Sequence, residues 1–155
     1  MNRPLYIIKT WLPAVVWICC IFFLSTEVFS ADHTSRILER LLRYIFPQIS
    51  IREINIIHYF VRKTAHLTEY CIMSILIFRS SRNTFKLQSH LRWVFYSLII
   101  IIVVAAADEF HQGFVASRTS SAIDVGIDIA GGILGQVICL TFYRLQRLRE
   151  KTNIE

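Results

Sequence analysis

Leu98 to Gln112 reads LIIIIVVAAADEFHQ, and the fold class turns on that stretch. Residues Leu98 to Ala107 are wholly apolar, and with Leu91 to Ser97 ahead of them they reach the about 17–25 residues that cross a bilayer as a helix. Asp108-Glu109-Phe110-His111-Gln112 follows at once. We read Leu91 to Ala107 as a membrane span and 108–112 as the opening of the loop beyond it. The whole chain agrees: 54% of its 155 residues are hydrophobic and 18% charged, with a mean hydropathy of +0.48. A soluble domain carries about 25% charge. The length suits a single domain spanning residues 1–155. Cys19, Cys20, Cys71 and Cys139 all lie inside apolar runs, which excludes a disulfide framework and a zinc ribbon.

Three further segments complete an all-α integral membrane bundle of about four spans. Trp11 to Phe29 is the first, with Pro13 near its start, where a helix tolerates proline. Ala122 to Tyr143 is the last and carries Asp124 and Asp128. Arg62 to Phe78 is the least apolar, because Lys63, His66, Thr68 and Glu69 fill its first half. It is counted because the distribution of charge requires an even number of crossings. Arg3, Lys9, Arg79, Arg82, Lys86, Arg92, Arg144, Arg147, Arg149 and Lys151 then fall on one side, the cytoplasmic one, with both termini. The other seven basic residues, Arg36, Arg40, Arg43, Arg52, Arg62, Lys63 and Arg118, lie outside or at the outer interface. This placement explains the net charge of +6, and no nucleic-acid partner is expected. Val28-Phe29-Ser30 before Ala31 resembles a signal cleavage site, but the long run and the later spans favour an uncleaved anchor.

The first loop holds an amphipathic helix at about 34–46. Ile37, Leu38, Leu41, Leu42, Ile45 and Phe46 share one face, and Arg36, Glu39, Arg40 and Arg43 the other, with Glu39 and Arg43 paired at i,i+4. Such a helix lies flat in the interface or packs on other helices. Pro47 ends it, and Ser50 with Glu53 reads as a capping box that opens the helix of the second span.

Ionisable residues inside membrane segments are functional suspects. Lys63, His66, Glu69 and Tyr70 share one helical face about 120° wide. The topology gathers them with Asp108, Glu109, His111, Gln112, Arg118 and Asp124 at the outer end of the bundle. His66 with Glu69 and Asp108 forms a candidate base and its orienting carboxylates. Glu69, Asp108, Glu109 and Asp124 suit a hard divalent cation, but Lys63 and Arg118 satisfy the same charges, so neither metal nor cofactor is expected. Arg118 also suits a phosphate or carboxylate. The competing explanation is an ion-pair network that fixes helix register. Gly131 and Gly135 form a small-xxx-small pair for close helix packing.

Lys63-xx-His66-xx-Glu69-Tyr70, Asp108-Glu109-xx-Gln112, Arg118, Asp124 and the Gly131-xxx-Gly135 ending together resemble the VanZ-like family of bacterial membrane proteins, over roughly residues 10–143. The resemblance implies a multi-pass protein of the bacterial cytoplasmic membrane, a cell-envelope setting, and a link to glycopeptide (teicoplanin) antibiotic resistance. The chain departs from the family at Ala116-Ser117, where Pro-Gly is usual, and at Asp128, where Asn is usual.

Three functions stay open. The first is binding of an anionic or amphiphilic envelope molecule by Lys63, His66, Glu69, Tyr70, Asp108, Glu109, Gln112, Arg118 and Asp124. The second is an enzyme acting on a lipid or lipid-linked wall precursor, with His66, Glu69 and Asp108 as catalytic candidates. The third is an accessory subunit, as a homo-oligomer or within an envelope complex.

Overall fold

The computed structural model describes residues 3–26, 31–85, 90–114 and 121–152, with the side chains of all but 31–33, 90 and 151. Among the described residues it is all-α, with five helices: α1 (Arg3–Leu24), α2 (Ala31–Ile45), α3 (Ile51–Thr84), α4 (His90–Gln112) and α5 (Ala122–Thr152). Arg3–Leu24, Leu91–Gln112 and Ala122–Glu150 are long and apolar enough to cross a membrane. The segment in α3 is not, since charged residues recur along it.

The four long helices nonetheless run alternately up and down one bundle. Trp11 Nε1 donates to Thr84 Oγ1 (2.9 Å) and Trp17 Nε1 to the carbonyl of Glu69 (2.9 Å), so α1 is antiparallel to α3. Contacts between α3 and α5 advance together, from Lys63–Asp124 through Ser74–Gln136 to Arg82 over the Tyr143 ring. These two helices are parallel. Trp93, near the start of α4, packs edge-on against both Phe78 and Tyr143, which makes α4 antiparallel to them. Thr10 and Tyr143 therefore lie at the same end, and 58–69, 108–112 and Asp124 at the other.

Small residues set how closely α3 and α5 approach. A Cβ on Gly131 would sit 2.3 Å from the Leu67 carbonyl oxygen, and one on Gly135 2.5 Å from that of Cys71. Gln136 Nε2 and the Gly132 carbonyl both bond Ser74 Oγ (2.7 Å each) beside this contact. The apolar core, with Ile21, Tyr70, Met73, Ile77, Ile101 and Ala105, fills the space between α1, α3 and α4. Outside it, Leu12, Val16 and Phe23 of α1, Ile99, Ile102 and Val103 of α4, and Val137, Ile138 and Phe142 of α5 are exposed. An exposed apolar surface of that extent is compatible with a membrane protein.

Several boundaries differ from the sequence expectation. α1 begins eight residues before Trp11 and stops at Leu24, short of Phe29, so Pro13 lies well inside it. Proline there removes one backbone hydrogen bond. Ser80 Oγ of α3 lies 2.9 Å from the Thr10 carbonyl and 2.8 Å from that of Leu76, which seats α3 against the α1 turn beside this proline. Residues 108–112 are not loop but the last turn of α4, because Asp108 and Gln112 are buried against protein instead of facing lipid. α5 continues past Tyr143 to Thr152, and α3 extends beyond Phe78 to Thr84.

Local signals in the first loop hold. Arg43 Nε donates to Glu39 Oε1 (2.8 Å), and Ser50 and Glu53 form the capping box, which holds the Glu53 carboxyl below its ordinary pKa. α3 then runs 34 residues without a break, about 51 Å at 1.5 Å per residue. That exceeds the about 30 Å of a bilayer core, so its first turns project beyond the bundle's apolar belt.

Candidate functional site

One face of α3 builds a cleft. His58, Arg62, His66 and Glu69 follow at successive turns and line a cavity of about 380 Å³, closed by Leu24 and Ser25 of the α1 end and by Thr34, Ile37, Leu38 and Leu41 of α2. Ile37, Leu38 and Leu41 form the α2 wall and His58, Val61, Arg62, Ala65, His66 and Glu69 the α3 wall, so the lining is mostly apolar. His58 Nε2 lies 3.0 Å from Thr34 Oγ1, tying α2 to α3. Burial, assisted by the charge of Arg62, holds the His58 imidazole below its ordinary pKa.

Behind the cleft, α3 meets α4 and α5 through polar side chains. Lys63 Nζ pairs with Asp124 Oδ1, and both side chains keep some exposure. One turn deeper, His66 Nδ1 lies 3.2 Å from Asp128 Oδ1. From α4, Gln112 Nε2 donates to Asp108 Oδ2 (3.0 Å) and reaches Ser25 Oγ (3.4 Å). Glu109 Oε1 accepts the Ser121 backbone N–H just before α5. Among the described residues, Tyr70 Oη, Asp108 Oδ1, Glu109 Oε2 and Asp128 Oδ2 are buried with no hydrogen-bond partner.

The bundle brings Lys63, His66, Glu69, Tyr70, Asp108, Glu109, Gln112 and Asp124 to one end. Arg118, Ala116-Ser117, Lys86 and the Val28-Phe29-Ser30 sequence lie outside the described residues. Other assignments shift. Lys63 is engaged by Asp124, whereas Arg62, one residue earlier, faces the cleft with no carboxylate partner among the described residues. Asp128 was not among the expected site residues, yet it is fully buried against His66. Its signal was its place one turn after Asp124. Likewise His58, Arg62 and His66 recur at four-residue intervals, a periodicity that marks one helix face. Ser25 and Thr34 carried no local signal, since only the packing of α1 and α2 brings them here.

A family model described as VanZ/LLP1 matches residues 10–143 of the chain. No curated protein and no solved structure matches it.

Proposed function

The chain belongs to the VanZ-like family, and we propose that it is a four-span protein of the bacterial cytoplasmic membrane that holds an anionic amphiphile in the α2–α3 cleft. The carrying observation is the cleft's composition: Arg62 stands on a wall opposite Ile37, Leu38 and Leu41. A guanidinium grips phosphate or carboxylate through paired donors, and the apolar wall takes the chain attached to it. The volume lies within the about 300–1,000 Å³ of small-molecule sites, so it accommodates a headgroup and the first part of its tail. A lipid headgroup, a lipid-linked wall precursor and a lipoglycopeptide share this chemistry. The last of these would connect the chain to the family's glycopeptide resistance.

The bundle supports a placement in the membrane. α3 from Lys63 to Arg82 runs level with α5 from Asp124 to Tyr143, so if α5 crosses the bilayer, α3 crosses beside it, with Lys63 turned to Asp124 and Arg82 over the Tyr143 ring. Both termini are then on one side, the cytoplasmic one by the excess of Lys and Arg there. α2, with Ile37, Leu41 and Ile45 exposed, lies at the outer interface.

A photo-crosslinking amino acid at Leu41, with a second at lipid-facing Leu134 as reference, tests the cleft directly. Leu41 should capture an anionic amphiphile enriched over the mixture captured at Leu134. The same mixture at both positions would refute the proposal. The His66–Asp128 pair supports a second reading, an enzyme in which His66 acts as base on the bound molecule with Asp128 as its orienting carboxylate. In that case His66→Gln retains the amphiphile, and the product that wild type forms disappears.

A further inference from the structure

The buried polar groups behind the cleft exceed what amphiphile binding requires. His66 on α3, Asp108 on α4 and Asp128 on α5 each offer one ligand atom, and the three atoms lie within 4.8 Å of one another. Both aspartates are fully buried and His66 is 7% exposed. Each aspartate also carries an oxygen without a hydrogen-bond partner among the described residues. The fully buried Tyr70 hydroxyl is likewise unpartnered and lies in the field of both carboxylates. Buried polar atoms are almost always satisfied, and an orphan of this kind points to a missing partner such as water or an ion.

From this geometry we propose that His66, Asp108 and Asp128 bind a divalent transition-metal ion, Zn²⁺ or Mn²⁺. Two carboxylates and a neutral imidazole bring a divalent cation to charge neutrality, which is the condition for keeping ionised groups inside a membrane bundle. The His66 Nδ1 to Asp128 Oδ1 separation of 3.2 Å is long for a charge-assisted hydrogen bond, normally about 2.7–2.9 Å. It is close to the about 3.3 Å between two ligands of one tetrahedral ion bound at about 2.0–2.1 Å. A nitrogen ligand with only three protein donors selects against Ca²⁺, which takes about 6–8 oxygens. Zn²⁺ and Mn²⁺ accept mixed nitrogen and oxygen donors. Gln112 Nε2 orients Asp108 through Oδ2 and leaves Oδ1 for the ion, an outer-shell arrangement typical of metal sites. Lys63 does not neutralise this trio, since Asp124 engages it. His66 also lines the cleft, which provides the route of entry and places the ion next to the position of an anionic headgroup. The site stands whether or not the cleft holds an amphiphile.

Metal content and binding on the full chain in nanodiscs test it. After chelation, wild type should take up one Zn²⁺ per chain. His66→Gln, Asp108→Asn and Asp128→Asn should retain none, and Gln112→Leu should bind about 10–100-fold more weakly. Asp124→Asn, outside the trio, should bind like wild type. Pulsed EPR of Mn²⁺ on wild type should report coupling to a histidine nitrogen, and this decides the matter even where a ligand variant does not fold. No stoichiometric metal on wild type, no nitrogen coupling, or full loading of a folded Asp128→Asn protein would overturn the proposal.

Discussion

Replacing Gly131 with alanine adds a single methyl group where α5 touches α3. That Cβ would lie 2.3 Å from the Leu67 carbonyl oxygen, about 1 Å inside ordinary van der Waals contact, which begins near 3.4 Å. The obstacle is backbone, so no rotamer change relieves it, and one helix must move away from the other. Overpacking of this kind costs about 1–3 kcal/mol, with the upper end expected against a helix backbone. Alanine returns about 1 kcal/mol through its better helix propensity, which leaves a net loss of about 2 kcal/mol. Gly126 provides the internal reference, because an added Cβ there meets nothing within 4 Å. Gly126→Ala should therefore gain up to about 1 kcal/mol from propensity alone. The pair should differ by about 3 kcal/mol, read as midpoints of unfolding by SDS titration in mixed micelles. Equal stability of the two variants would mean that α3 and α5 do not approach along this face, and the parallel packing that assembles the site would be wrong.

Other perturbations address the charges and the topology. Lys63→Met leaves Asp124 without its partner and should destabilise by less than the about 3–5 kcal/mol of a fully buried pair, since both side chains retain some exposure; adding Asp124→Asn should restore most of the loss, and additive losses would mean the pair is not coupled. His58 is held below its ordinary value of 6.5, so the folded state favours the neutral ring; its contribution is present above that value and is lost as pH falls through it toward the folded pKa. Hydrogen-exchange protection in α2, corrected for the intrinsic pH dependence of amide exchange, should accordingly fall as pH drops below 6.5, and His58→Gln should flatten the change, whereas identical protection profiles for both proteins would remove His58 as the cause. Reporter fusions after Glu155 and within residues 81–89 should both report the cytoplasm, and opposite signals would contradict four crossings.

Features held between near neighbours in the chain are legible in the sequence itself. The Ser50–Glu53 capping box, the Glu39–Arg43 pair and the approach face of Gly131 and Gly135 all depend on residues three or four apart, and all three are present. Most of the polar cluster is legible for the same reason, as ionisable groups stranded beside apolar runs. Misreadings arise where burial against protein replaces contact with lipid. Asp108 and Gln112 look like the chain leaving the membrane, yet they lie in the last turn of α4, buried and bonded to one another. Pro13 looks like a helix start, but α1 begins ten residues before it, with Ser80 of α3 against the adjoining turn. The cleft is not legible at all. It exists because α2 folds back along α3 and places Leu38 and Leu41 opposite Arg62, a relation between segments that no periodicity within either one encodes.

Native mass spectrometry of the full chain released from its own membrane shows whether this cleft holds an anionic amphiphile. One anionic lipid-like species should be retained well above its share of the bulk lipid. Arg62→Gln should weaken that retention by removing the guanidinium, and Leu38→Trp should weaken it by filling the apolar wall, with the thermal stability of both variants close to wild type. Retained lipids that mirror the bulk composition, or enrichment unchanged in both variants, would contradict it.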